Sequence, residues 1–307
     1  MKRSNISVAI ISSGVGTSPE TISYSFVFDE AYRLSRRGID VHIVRPRFER
    51  DFLSYGMHYH GLEKMVDMRA IKLALSNLRV YPPLSLLRNP VKIYWENLYA
   101  LNVSQVVMRY DVDIIHAHFA YPEGFVGLLT KRHTNKPLIV TLHGYDILTE
   151  PSINYGIRLN KRYDTLVRCV LLGADVLIVQ SKAMFREVVK VCNILAKKTY
   201  LIPHGVDLKR FNPSLNATLI KKRYNIKDKF VVFTLRMHAP KYGIEYLIRA
   251  IPLVVRKYDN VVFIIGGDGP LRPYHEKLVK VLGVKNYVIF TGYIPQSEVP
   301  LYYAASD

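Results

Sequence analysis

The stretch FTLRMHAPKYGIEYLIRAI, residues 233–251, decides how the chain is read. An apolar run ends on Arg236, Lys241 follows five positions later, then Gly243, and then apolar residues at helical spacing. That order is strand, loop, helix, with one cation at the strand tip and one just ahead of the helix. In open α/β sheets ligands bind outside the carboxyl ends of the strands. The Arg fork suits paired phosphate oxygens, and a Lys near a helix start adds a point charge where the helix dipole already favours an anion. Arg236 and Lys241 are the candidate grip for a diphosphate. Solvated surface cations are the alternative.

The same unit recurs along the chain. ISVAII (6–11), DVHIV (40–44), DIIHAHF (113–119), PLIVTLHG (137–144), DVLIVQS (175–181) and KTYLIPHG (198–205) are short apolar runs, each leading through Gly, Pro, Ser or His into a helical pattern. Phe28, Ala31 and Leu34 mark the first helix, which Gly38 closes. Uninterrupted apolar runs argue for strands buried on both faces, hence a parallel, doubly wound sheet. After Gly205 the pattern restarts with FVVFTLR (230–236), NVVFIIGGDG (260–269) and YVIFTGYI (287–294). Two tandem Rossmann-like domains are expected, 1–205 and 206–307, with 213–228 reading as linker plus one short helix. A nucleotide-binding half of this kind has about five or six strands. Three are legible in the second domain, which is therefore expected to be incomplete: either it is a half-domain, or about 80–100 further residues belong to it in a longer parent. The segment 51–110 is less regular. It is either an amphipathic excursion that meets a membrane or acceptor, or a part packed on its own sheet.

Composition bounds the function. The 307 residues carry 43 Lys+Arg against 25 Asp+Glu, a net charge of +18, which favours anionic partners such as phosphorylated small molecules or lipid headgroups. Cys169 and Cys192 are too few for a disulfide framework, so a cytoplasmic setting is expected. The apolar run near the start is shorter than the roughly 7–15 residues of a signal-peptide core.

The strand ends supply the remaining candidates. SGVGTSPE offers Gly14 and Gly16, but Pro19 stands at the third glycine position of a dinucleotide fingerprint, and Arg45 and Arg47 stand where an acidic residue should end the second strand. Either a tight strand-to-helix turn or close approach of a phosphate or sugar to the backbone explains the two glycines. His143, after four apolar strand residues and three before Asp146, is a turn residue or a hydrogen-bonding group for a polar ligand. His116 and His118 are read as pointing to opposite faces, which argues against a shared metal, and no metal site is expected.

Together, HAHFAYPEG (116–124), TLHGYDI (141–147), ADVLIVQS (174–181), IPHGVDLKRFNP (202–213), the R-x4-K-x-G of 236–243, GGDGPLR (266–272) and IFTGYIPQSEVPLYYAASD (289–307) resemble the retaining glycosyltransferases of family 4. The resemblance runs from about residue 6 to the last residue. It implies the GT-B fold, two Rossmann-like domains facing a cleft, and transfer of a sugar from a nucleotide-diphosphate donor to a lipid or glycan acceptor with retention of configuration and without a metal. Arg236 and Lys241 match the family's donor-diphosphate pair, and His143 matches the histidine that reaches the donor sugar. Gly14, Gly16 and Gly267 lie in matching loops, while Tyr293 and Ile294 match the strand-end backbone that meets the base. The family's paired glutamates, E-x7-E, are expected downstream of Asp307. The alternative function is therefore a catalytically incomplete nucleotide- or glycan-binding remnant, or a subunit whose partner chain supplies that half. The basic charge suits a peripheral position on an anionic membrane face, and no nucleic-acid partner is expected.

Overall fold

A computed structural model describes residues 6–21, 23–47, 49–83 and 89–307. The chain divides into two compact units, Met1–His204 and Gly205–Asp307. Part of the irregular excursion, residues 84–88, lies outside the described residues.

The first unit is built on an eight-stranded sheet in the order β3-β4-β2-β1-β5-β6-β7-β8. Strand β1 (Ser7–Ile11) is buried at every position and pairs in parallel with both β2 (Asp40–Val44) and β5 (Ile114–His118). From β1 the chain winds outward in one direction, then returns and winds in the other through β6 (Leu138–Thr141), β7 (Val176–Val179) and β8 (Thr199–Leu201). The reversal falls between β1 and β5, so their carboxyl ends diverge there and open a crevice. Helix α1 (Ser25–Arg36) buries Val27, Phe28 and Ala31 and closes as expected, with Gly38 at φ +84° and the Ile39 N–H donating to Leu34 O.

The irregular segment resolves into elements too short or too buried to show a period. Strands β3 (Phe52–Ser54) and β4 (Met57–His60) form a hairpin whose turn residues, Tyr55 and Gly56, both have positive φ. Strand β4 then adds in parallel to β2. Helix α2 (Met68–Asn77) buries Ala70 and Asn77 and leaves Met68, Ile71 and Leu75 exposed. Helix α3 (Pro90–Arg109), capped by the Asn89 side chain, is buried without a break from Glu96 to Ser104. A helix covered on all sides has no polar stripe to reveal its period. Packing on its own sheet therefore holds for α3, whereas α2 keeps an exposed apolar face. Helices α4 (Phe125–Thr134), α5 (Lys161–Gly173) and α6 (Lys182–Val191) complete the unit.

The second unit carries a three-stranded parallel sheet, β11-β10-β9, from β9 (Phe230–Leu235), β10 (Val261–Gly266) and β11 (Val288–Gly292). The expected linker belongs to this unit. Phe211, Ala217, Ile220 and Ile226 pack with Val231, Val262 and Ile264, so 213–228 with helix α7 (Thr218–Arg223) is part of the core. Its basic residues suggest a linker because they line the outer face, while the apolar ones are too few to show a pattern. Helices α8 (Ile244–Val255), α9 (Arg272–Val281) and α10 (Val299–Ala304) follow the strands.

Candidate functional site

The crevice of the first unit gathers polar groups from four elements. The Ser13 N–H and hydroxyl both donate to Glu123 Oε1, the amide at 3.1 Å, tying the end of β1 to the segment after β5. Burial raises the Glu123 carboxyl above its ordinary range, and the hydrogen bonds from Ser13 oppose that shift. Asp146 is fully buried and accepts from the His143 N–H at 2.9 Å and the Ala120 N–H at 2.8 Å. Its carboxyl is pushed up to about 6 by burial, against the pull of those amides. Asp146 thus clamps the turns after β5 and β6 together. Phe119, between them, has φ +76°, a strained value for an aromatic residue.

On this frame His143 lies in a stack of rings. Its Nε2 is 3.1 Å from His118 Nδ1, and its ring centroid is 4.6 Å from both Phe26 and Phe119 and 5.8 Å from His204. Burial, then the neighbouring His204 and His116, lower its pKa to about 3, so the imidazole is neutral at physiological pH. A neutral imidazole in an apolar cage can exchange a hydrogen bond with a hydroxyl without carrying a charge.

The two glycines of the first loop face their own loop. A Cβ at Gly14 would lie 2.5 Å from the Tyr24 ring, and one at Gly16 would lie 2.2 Å from Thr21 Cβ. The loop carbonyls of Val15, Gly16 and Thr17 accept from Arg45, Tyr59 and Ser54. Arg45, at the end of β2, is buried, paired with Glu49 and serves as a loop clamp. Crowding by Tyr24 and Thr21 thus accounts for glycine at both positions.

One sequence expectation is overturned here. His116 and His118 share a face of β5, because strand side chains alternate with a period of two and residues two apart point the same way. Their ring centroids are 4.5 Å apart, and Glu30 Oε1 of α1 lies 3.7 Å from His116 Nδ1 and 3.9 Å from His118 Nε2.

The second unit is built differently. Arg236 is exposed at the end of β9 and makes no ion pair among the described residues. Lys241 is exposed on the 3-10 turn Pro240–Tyr242, its ammonium 4.8 Å from the Tyr242 ring centroid, and α8 begins at once after Gly243. The loop that carries both is held by the next one. The His238 N–H donates to Asp268 O at 2.9 Å, and the Leu271 N–H donates to His238 O at 2.9 Å. Gly267 has φ +104°, and a Cβ there would lie 2.0 Å from Arg236 O, so only glycine permits this approach. Its identity is thus explained by contact with Arg236. Tyr293 is exposed beyond β11, whereas the Ile294 side chain is core, leaving its backbone as the part able to meet a ligand.

Sequence reading missed Glu30, Ser13 and Glu123. Glu123 lies within HFAYPEG, and an acidic residue just past a strand end was the available signal. Glu30 gave none, since it is one of several polar residues on α1.

Two mostly parallel sheets with their polar groups at the strand ends define an α/β protein of the GT-B type. The family model Glycosyltransferase Family 4 matches residues 25–210, and the model Glycosyl transferases group 1 matches residues 228–307. The chain belongs to glycosyltransferase family 4. It is 27% identical over 209 residues to the GDP-mannose-dependent alpha-(1-6)-phosphatidylinositol monomannoside mannosyltransferase of Mycolicibacterium smegmatis, covering 68% of this chain and 52% of the relative. It is 26% identical over 214 residues to the alpha-monoglucosyldiacylglycerol synthase of Acholeplasma laidlawii, covering 65% and 52%. The chain thus spans about half the length of these curated relatives. Among solved structures, Anabaena HepE in complex with UDP superposes with a TM-score of 0.66 at 19% identity, covering 98% of this chain and 72% of that one. The sucrose-phosphate synthase of Thermosynechococcus elongatus gives a TM-score of 0.67 at 19% identity, covering 98% and 74%. These likenesses show the fold.

Proposed function

We propose that the protein transfers a sugar from a nucleotide-diphosphate donor to a lipid or glycan acceptor, with retention of anomeric configuration. The observation that carries this reading is the exposed Arg236, without an ion-pair partner among the described residues, held at a strand end by a glycine-packed loop in a member of this family. In this reading Arg236 and Lys241 neutralise the donor diphosphate, and they stabilise the charge that grows on it as the sugar departs. Cations of the protein then do this work without a metal at the diphosphate. The backbone at Tyr293 and Ile294 meets the base. In the first unit, neutral His143 hydrogen-bonds a sugar hydroxyl beside the Gly14–Gly16 loop. Retention is supported by the two curated relatives, both named for alpha linkages.

A lipid acceptor is favoured by the names of those same relatives and by α2. Its exposed Met68 and Leu75, with Met65 and Val66 just before it, lie among the exposed Lys64, Lys72 and Arg79. Exposed apolar side chains with basic residues near them in sequence suit an anionic bilayer surface, where each basic residue contributes about 1 kcal/mol. No helix among the described residues is long and apolar enough to cross a membrane. Equilibrium dialysis against UDP-glucose and GDP-mannose tests the donor assignment. Saturable binding of one of them, competed by its nucleoside diphosphate but not by the monophosphate, is expected. Absence of saturable binding, or equal competition by the monophosphate, overturns it.

A further inference from the structure

We propose that Glu30, His116 and His118 form a binding site for a divalent transition metal of the zinc class, in the first unit and separate from the diphosphate grip. The three side chains each present one ligand atom, all within 4.8 Å of one another. Zinc bonds of about 2.0–2.1 Å place tetrahedral ligand atoms about 3.4 Å apart. The Glu30 Oε1 separations of 3.7 and 3.9 Å from the two ring nitrogens need only a small contraction. Two imidazoles and one carboxylate are a donor set that leaves a fourth position open.

Three observations favour a ligand here over a satisfied core. His118 is completely buried, yet its Nε2 has no hydrogen-bond partner among the described residues and is aimed at Glu30. A buried, unpaired ring nitrogen is costly to keep. The opposite nitrogen of each histidine is already engaged: His116 Nε2 lies 2.7 Å from Thr141 Oγ1, and His118 Nδ1 lies 3.1 Å from His143 Nε2. Ligating histidines characteristically use the second nitrogen in this way, which fixes ring orientation and tautomer. Glu30 is about a third exposed, at 34%, and provides the path for entry.

Metal on His118 Nε2 would require the proton on Nδ1, donated to His143 Nε2. His143 would then be fixed with its own proton on Nδ1. The site would set the tautomer of the histidine in the ring stack, a positioning effect distinct from contact with substrate.

Cobalt(II) titration of chelator-treated full chain tests this, read by visible absorption. One equivalent is expected to give the intense bands of a four-coordinate ion, lost in Glu30→Gln and kept in His58→Gln, a half-exposed histidine outside the site. No such bands in the wild type, undiminished bands in Glu30→Gln, or loss confined to His58→Gln overturns the proposal. X-ray absorption of the zinc-loaded wild type is independent of how the variants fold. Two imidazoles with an oxygen ligand support the site, and a shell containing sulfur overturns it.

Discussion

The strand ends of the two units do opposite things with charge. In the first, Glu123, Asp146, His116 and His118 are all buried, and the imidazoles are held neutral. In the second, Arg236 and Lys241 stand in solvent on a loop held by backbone hydrogen bonds and a glycine contact. A buried network specifies geometry, because every misplaced group costs a hydrogen bond. Exposed cations specify attraction, because their side chains are accessible to an anion. Substitutions should therefore damage folding in the first unit and ligand binding in the second.

The largest expected effect is on pH dependence. Burial depresses His143 to about 3, and His42 and His116 to about 4. As pH falls below the ordinary histidine value of 6.5, the unfolded chain takes up protons that the folded chain refuses, so stability is lost toward pH 4. Glu30, raised to about 7, and Asp146, raised to about 6, act in the opposite sense: the stability they contribute at low pH is lost as pH rises through those values. The histidine shifts are more numerous and larger in sum. In metal-free protein the urea midpoint should fall between pH 6.5 and 4, and less steeply in His143→Gln. A flat or rising midpoint would contradict the dry description of the first crevice.

Next is Asp146→Ala, which strands two buried backbone N–H groups. It should cost about 2–4 kcal/mol by urea unfolding. A cost below about 1 kcal/mol would mean that water replaces the carboxylate and the crevice is not closed. Gly267→Ala is expected to cost about 2 kcal/mol, since the alanine must keep a left-handed φ with its Cβ against Arg236 O. It should also weaken nucleotide binding by moving Arg236, which sharpens the comparison by linking loop packing to affinity in the exposed unit.

Much of this was legible in the sequence, for reasons particular residues show. Strands such as VVFIIG are apolar throughout because both faces are covered, so all three strands of the second unit can be read directly. The Arg236 and Lys241 candidates were visible because an exposed cation at a strand tip has few structural uses. The β3–β4 hairpin was not, since its strands have three and four residues and its turn is Tyr-Gly in place of Asn-Gly. The Glu30, His116 and His118 grouping was hidden for another reason. It joins residues from α1 and β5, more than 80 positions apart, and only the pairing of β1 with β5 brings them together.

The smallest effect concerns the exposed face of α2. Lys72→Ala or Arg79→Ala should each reduce partition onto anionic vesicles about fivefold, from about 1 kcal/mol per charge. Unchanged partition would remove α2 from the lipid account and leave the donor account untouched.

The central claim is that the exposed pair of the second unit grips a diphosphate. Isothermal titration of UDP and GDP into wild type and Arg236→Ala tests it most directly. The variant should unfold within about 0.5 kcal/mol of wild type, as an exposed substitution does. It should nevertheless bind the preferred diphosphate about thirtyfold more weakly, the loss of about 2 kcal/mol that a charge-assisted hydrogen bond supplies. Equal affinity in a folded variant would contradict the account.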